Sequence, residues 1–181
     1  LLQLISIHQD QKIMIFANTK KQVDEIVQIL QKEGLFAEAI HGDLSQKMRE
    51  NVISKFKKDI IRILVCSDVA ARGLDIDDVD VIINYDLPFE DEYYVHRVGR
   101  TGRADKSGIS YTILASSKER KLKRLEKMLQ TNIAKMVPLS SQKVRELNDQ
   151  IIIKKIENAI NNNKEDFIDR IKPLMKKGYD L

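Results

Sequence analysis

The chain has 181 residues, 43% hydrophobic and 32% charged, enough for one core-bearing domain plus a small appendage, and this balance argues against disorder. Its net charge of +4 permits a nucleic-acid partner without demonstrating one. No apolar run approaches the roughly 20 residues of a membrane helix, so no membrane association is expected. The chain starts at Leu1 without Met and with no visible signal peptide, so it is expected to be a fragment. A single cysteine, Cys66, cannot form an internal disulfide; within Ile63-Leu64-Val65-Cys66 it reads as buried strand packing, which fits a reducing, cytoplasmic setting.

In chain order, strand-like runs alternate with helical patterns. The runs are Ile13–Phe16, Ala37–Ile40, Ile63–Cys66, Val81–Ile83 and Ile109–Leu114. Most are β-branched and apolar on consecutive positions, as in parallel strands covered on both faces. After the first, Thr19-Lys20-Lys21-Gln22 is a capping box. Val23, Ile26, Val27 and Leu30 follow as one helical face, and Gly34 ends the helix. Ser45 caps a second helix with a core face of Met48, Val52, Ile53 and Phe56. A third starts near Glu90. Ser116 and Glu119 suggest another capping box, opening a helix through Met128. This is a doubly wound α/β pattern with a mainly parallel sheet over residues 1–131. Such folds bind ligands beyond the carboxyl ends of their strands. From residue 132 to 181 the composition shifts. Pro138 and Ser140-Ser141 interrupt the pattern, and two helices without a strand are expected, with Asn161-Asn162-Asn163 as their turn. The charge cluster Lys118–Arg124 reads as a solvated helix face, and His8, in no motif, as surface.

Two strings carry chemistry. In His96-Arg97-Val98-Gly99-Arg100-Thr101-Gly102-Arg103, arginine recurs at every third position. On a helix that spacing puts neighbours on adjoining faces, and Gly99 and Gly102 permit close approach and a bend where the helix ends. Guanidinium stays charged and donates a planar fork of hydrogen bonds, which suits a γ-phosphate. Ser67-Asp68-Val69-Ala70-Ala71-Arg72-Gly73-Leu74-Asp75 follows the third strand directly. It promises a tight turn exposing a hydroxyl, carboxylates and backbone N–H groups, in which Asp75 can accept from ribose hydroxyls and the N–H groups can hold a phosphate. Read alone, Thr19 and Ser45 fit plain helix caps as well as phosphate contacts. Arg49 fits a solvated charge, and His41 a packed histidine.

These strings, in this order over roughly residues 10 to 115, resemble the C-terminal half of DEAD-box RNA helicases. Ile15–Lys20, His41–Arg49, Ser67–Asp75, Asn84–Pro88 and Tyr94–Arg103 are similar to successive motifs of that family. The resemblance implies a RecA-like fold and a role in ATP-dependent RNA unwinding. It implies that Arg100 and Arg103 meet the γ-phosphate of ATP, and that Gly73 and Asp75 shape the ribose site. His96 and Arg97 would dock on an N-terminal RecA-like domain. Thr19, Gly42, Arg49, Ser67 and Asp68 would line or support the RNA backbone. Ser67 stands where threonine is usual, which keeps the hydroxyl; Asp105 stands where glycine is common, which puts the local turn in doubt. No Gly-x-x-x-x-Gly-Lys-Ser/Thr and no Asp-Glu-Ala-Asp occurs here. The phosphate cradle and the Mg²⁺ carboxylates are therefore expected on that other domain, and this chain alone is not expected to hydrolyse ATP. The tail, around Lys135–Pro138 and Lys177-Gly178-Tyr179-Asp180, resembles the dimerisation extension of some bacterial cold-shock-type members, which implies a possible homodimer. Two other readings stay open: a non-catalytic RNA-binding or protein-interaction module on the same fold, and the equivalent half of a DNA-directed helicase.

Overall fold

The computed structural model describes residues 1–74, 76, 79–102 and 107–162. The chain divides into two compact units, Leu1–Met136 and Val137–Leu181. In the first, α1 (Leu2–Ile7) precedes β1 (Ile13–Ala17), α2 (Lys20–Lys32), β2 (Ala37–Ile40), α3 (Gln46–Lys57) and β3 (Ile63–Ser67). Then come the short α4 (Asp68–Ala71), β4 (Val81–Asn84), α5 (Asp91–Val98), β5 (Ile109–Thr112) and α6 (Glu119–Leu129). The five strands form one all-parallel sheet in the order β2-β3-β1-β4-β5.

Every residue of β1, β3 and β4 is buried, because both sheet faces are covered. Strand alternation sends Met14, Phe16, Leu64, Cys66 and Ile82 to one face, against Val52 and Phe56 of α3. Ile13, Ile15, Val65 and Ile83 go to the other, against α1 and the Val23–Ile26–Val27–Leu30 stripe of α2. Each such aliphatic side chain contributes roughly 1.5–3 kcal/mol on burial. Cys66 is fully buried, and desolvation pushes its thiol pKa far up.

The capping signals hold for the first two long helices. Thr19 Oγ1 accepts from Gln22 N at 3.2 Å and Ser45 Oγ from Met48 N at 3.3 Å. Gly34 follows the end of α2 at φ +75°, a conformation glycine adopts without strain.

Other expectations are corrected. Met48, expected in the core face of α3, is 56% exposed, because it lies in the first helical turn at the rim of the sheet. The Ser116–Glu119 capping box does not form. A 3-10 turn over Ser116–Lys118 precedes α6 instead, with Lys118 N bonded to Ala115 O at 2.8 Å. His8 is buried rather than superficial: Nε2 lies 3.0 Å from Tyr111 Oη and Nδ1 2.5 Å from Gln11 Oε1.

In the second unit, α7 runs Ser141–Asn162, with Ser140 Oγ accepting from Lys143 N at 3.2 Å. The helix continues through Asn161 and Asn162, where a turn was expected; the second tail helix, at Phe167–Met175, lies outside the described residues. Among the described residues no helix is long and apolar enough to cross a membrane.

Candidate functional site

The register aligns Phe16 with both Cys66 and Asn84, so β1, β3 and β4 end at one level. Their exits deliver Asn18, Asp68 and Asp86 to a single edge, where sheet order changes direction around β1. Arg97, on α5, reaches into this convergence and is 1% exposed. Its Nε and Nη2 donate to the two Asp68 carboxylate oxygens at 2.6 and 2.7 Å. Nη2 also donates to Asn18 Oδ1 at 2.9 Å, and Nη1 to Asn84 Oδ1 at 3.2 Å and Asp86 O at 2.7 Å. The guanidinium lies 5.2 Å from the Phe16 ring centroid, within cation–π range. A buried charge survives only when paired and fully hydrogen-bonded, and these partners meet that need.

The resemblance assigned Arg97 to an interdomain surface; here it joins three strand exits inside its own domain. The helix stops at Val98, with Gly99 as its C-cap, so Arg100 stands beyond the helix. The three arginines therefore do not share one helix. Arg100 is half-buried and donates from Nη1 to Leu74 O at 2.8 Å and to Ile76 O at 3.4 Å. Arg103 and Asp75 lie outside the described residues, as does Asp105. Gly73, in the turn that Arg100 grips, has φ +79°.

Between these groups opens a small cleft of about 70 Å³, lined by Phe16, Asp68, Arg72, Tyr93, His96, Arg97 and Arg100 among others. That volume takes a few waters rather than a drug-sized ligand, which needs roughly 300–1,000 Å³. Its cationic lining fits one anionic group entering from outside. Exposed His96 is at the mouth, and Arg72 rests over the Tyr93 ring at 5.1 Å.

The remaining candidates lie on the exits of β1, β2 and β3, except Arg49, which is in the first turn of α3. Thr19 and Gly42 are exposed. His41 is packed: its Nε2 lies 3.0 Å from Asp24 Oδ1, and Nδ1 accepts weakly from Asp43 N at 3.4 Å, which fixes the turn at Gly42. Exposed Asp43 pairs with Lys20 at 2.7 Å, a contact that lowers its carboxyl pKa. Arg49 is half-buried and its Nε has no hydrogen-bond partner. Ser67 is buried at 8% exposure. Asp68 is occupied by Arg97, so it supports this edge rather than presenting a free carboxylate.

Asn18 and Asn84 do not stand out as site residues in the sequence. Asn84 is fully buried and donates to Tyr111 O at 3.3 Å while accepting from Arg97. The signal available for both was an asparagine closing an apolar strand, where a buried amide needs partners.

The family described as the helicase conserved C-terminal domain matches residues 1–105, and the chain belongs to it. A DEAD-box ATP-dependent RNA helicase CshA from Geobacillus kaustophilus is 41% identical over 160 residues, covering 88% of this chain and 34% of that protein. The corresponding Bacillus cereus protein is 39% identical over 171 residues, 94% of this chain and 33% of its own length. A crystal structure of a DEAD box protein from Methanococcus jannaschii superposes with TM-score 0.70 at 40% identity, over 75% of this chain and 38% of that one. Saccharomyces cerevisiae Dbp5 bound to RNA and ADP BeF3 gives TM-score 0.70 at 27% identity, over 81% and 40%. The fold is thus that of RecA-like DEAD-box C-terminal domains. The chain spans about a third of the length of the curated relatives it matches.

Proposed function

We propose that this domain is the C-terminal half of an ATP-dependent RNA helicase motor. The observation that carries the reading is the cationic cleft of Arg72, Arg97 and Arg100 at the strand exits β1, β3 and β4. An N-terminal RecA-like domain supplies the phosphate cradle and the Mg²⁺ carboxylates. Closure of the two domains brings ATP against this edge.

The roles divide by exposure. Arg100 leaves the carbonyls of the Gly73 turn for the γ-phosphate, where a guanidinium offsets charge on the transferring group. Arg103 joins it, and Asp75 takes the ribose. Arg97 is a positioning residue, since all its donors are used inside the domain. His96 is the group free to meet the partner domain. Thr19, Gly42 and Arg49 face the RNA backbone, with Ser67 and Asp68 behind them. Contacts of this kind hold phosphates and read no sequence, so the substrate is RNA of unspecified sequence. A cytoplasmic setting agrees with the buried, unpaired Cys66. Self-association through residues 132–181 is a separate proposal. It rests on the sequence pattern and on exposed Ile152, Ile153 and Ile156 of α7. Light scattering that finds only monomer refutes it.

The deciding experiment is Arg100→Ala in the intact protein. An arginine finger is worth about 10³–10⁵ in rate, so RNA-stimulated ATP hydrolysis should fall by at least the lower figure. Arg100→Lys should not restore it, because an ammonium lacks the planar fork. Unchanged turnover in Arg100→Ala refutes the reading. Stimulation by DNA but not by RNA favours the DNA-directed alternative.

A further inference from the structure

Helix α6 carries a concentration of charge that the proposed motor chemistry does not use. Between Lys118 and Lys127 stand six cations, Lys118, Arg120, Lys121, Lys123, Arg124 and Lys127, against Glu119 and Glu126. That excess equals the +4 of the whole chain, so elsewhere the two signs cancel. Ordinary solvated faces intersperse both signs; this one does not.

The helix sorts these residues by face. Leu125 and Leu129 pack inward, with Leu125 fully buried against Leu87 and Tyr94, and Leu122 at the same helical spacing is half-buried. Arg120, Lys123, Arg124 and Lys127 repeat on the opposite side and are all exposed, with no acidic residue among them. Arg124 is fixed by a bidentate pair to Asp91 at 2.8 and 2.9 Å. Arg120, Lys123 and Lys127 make no ion pair among the described residues.

We infer that the exposed stripe of α6 is an additional RNA-backbone surface, continuous with the strand-exit edge. The inference rests on the helicase reading above. Continuity comes through Lys121, whose Nζ donates to Pro88 O and to Phe89 O, the latter at 2.8 Å. The adjoining Leu87 carbonyl accepts from Asn18 at 2.9 Å, one residue before Thr19. The platform is thus tied to the loop that borders the proposed RNA edge. Arg120, Lys123 and Lys127 present their charges along about 10.5 Å of the helix axis. Exposed lysines and arginines in such a row hold backbone phosphates and select no base.

The test is the triple variant Arg120→Gln/Lys123→Gln/Lys127→Gln in the intact helicase. Fluorescein-labelled oligouridylate is titrated by fluorescence anisotropy across a salt series. Each phosphate contact on a single strand contributes about 0.7 to the slope of log K against log salt, so losing three should flatten it by about 2. At low salt, Kd should rise about tenfold or more. RNA-free ATP hydrolysis and the far-UV CD spectrum should be unchanged, since the three side chains are exposed. Wild-type Kd and slope in the triple variant overturn the proposal and leave the stripe to an acidic protein or to solvent. If wild type itself fails to bind oligouridylate, the helicase reading falls with it, so the two failures are distinguishable.

Discussion

Replacing Arg97 by alanine should cost the isolated chain about 3–5 kcal/mol of stability. The magnitude follows from what is left behind. Asp68, with 13% of its side chain exposed, loses both charge-assisted bonds at 2.6 and 2.7 Å. Asn18, Asn84 and the Asp86 carbonyl each lose a donor. Removing one partner of a buried pair and stranding the other typically costs about 3–5 kcal/mol. Charge-assisted bonds are each worth about 1.5–3 kcal/mol, so the estimate is conservative for five lost contacts. Urea denaturation followed by near-UV CD is the assay; four of the five tyrosines lie in residues 1–136 and report that unit. Arg97→Lys should fall between wild type and alanine, since a point charge cannot bridge Asp68 bidentately while also reaching Asn84. Arg97→Ala/Asp68→Ala should cost less than the sum of the two single changes. A loss below about 1 kcal/mol in Arg97→Ala, the range of an exposed ion pair, would refute the account of Arg97 as a structural joint.

Gly73→Ala should destabilise by about 1–2 kcal/mol through backbone conformation alone, because φ is +79° and nothing lies within 4 Å of an added Cβ. Gly108→Ala should cost more in the same urea titration, since its Cβ would collide with Thr101 Oγ1 and meet Gly102 N at 2.6 Å. Thr19→Ala should lose about 0.5–2 kcal/mol by removing the cap of α2; a much larger loss in oligouridylate affinity than in stability would separate RNA contact from capping. Cys66 should resist Ellman's reagent at pH 8 until the domain unfolds, because it is fully buried and its thiol pKa is pushed far up; rapid labelling of native protein contradicts that packing.

Strands β1, β3 and β4 were legible because buried parallel strands write continuous apolar runs; the edge strands β2 and β5, less buried, were legible from short runs between helical patterns. The caps of α2 and α3 were legible because Thr19 and Ser45 precede clear helical stripes. Where α5 stops was legible from Gly99, which permits a bend at a helix end and is the C-cap of α5. The inward turn of Arg97 was not legible. Its partners come from Asn18, Asp68, Asn84 and Asp86, which are distant in sequence, and only the order β2-β3-β1-β4-β5 brings them together. His8 was misjudged for the same reason. Its partner Tyr111 is 103 positions away, and no local pattern announces the contact. For the candidate site, sequence identified the two strings; it did not distinguish a buried arginine from a half-buried one three residues later.

The grip of Arg100 on the carbonyls of Leu74 and Ile76 has a mechanical consequence. The turn holding Gly73 is fastened by the same side chain proposed to seek the phosphate. A ligand that draws the guanidinium away unfastens the turn, and a turn that shifts carries the guanidinium with it. The sugar end and the phosphate end of a nucleotide would thus be felt through one linkage, like two keys on a single bar.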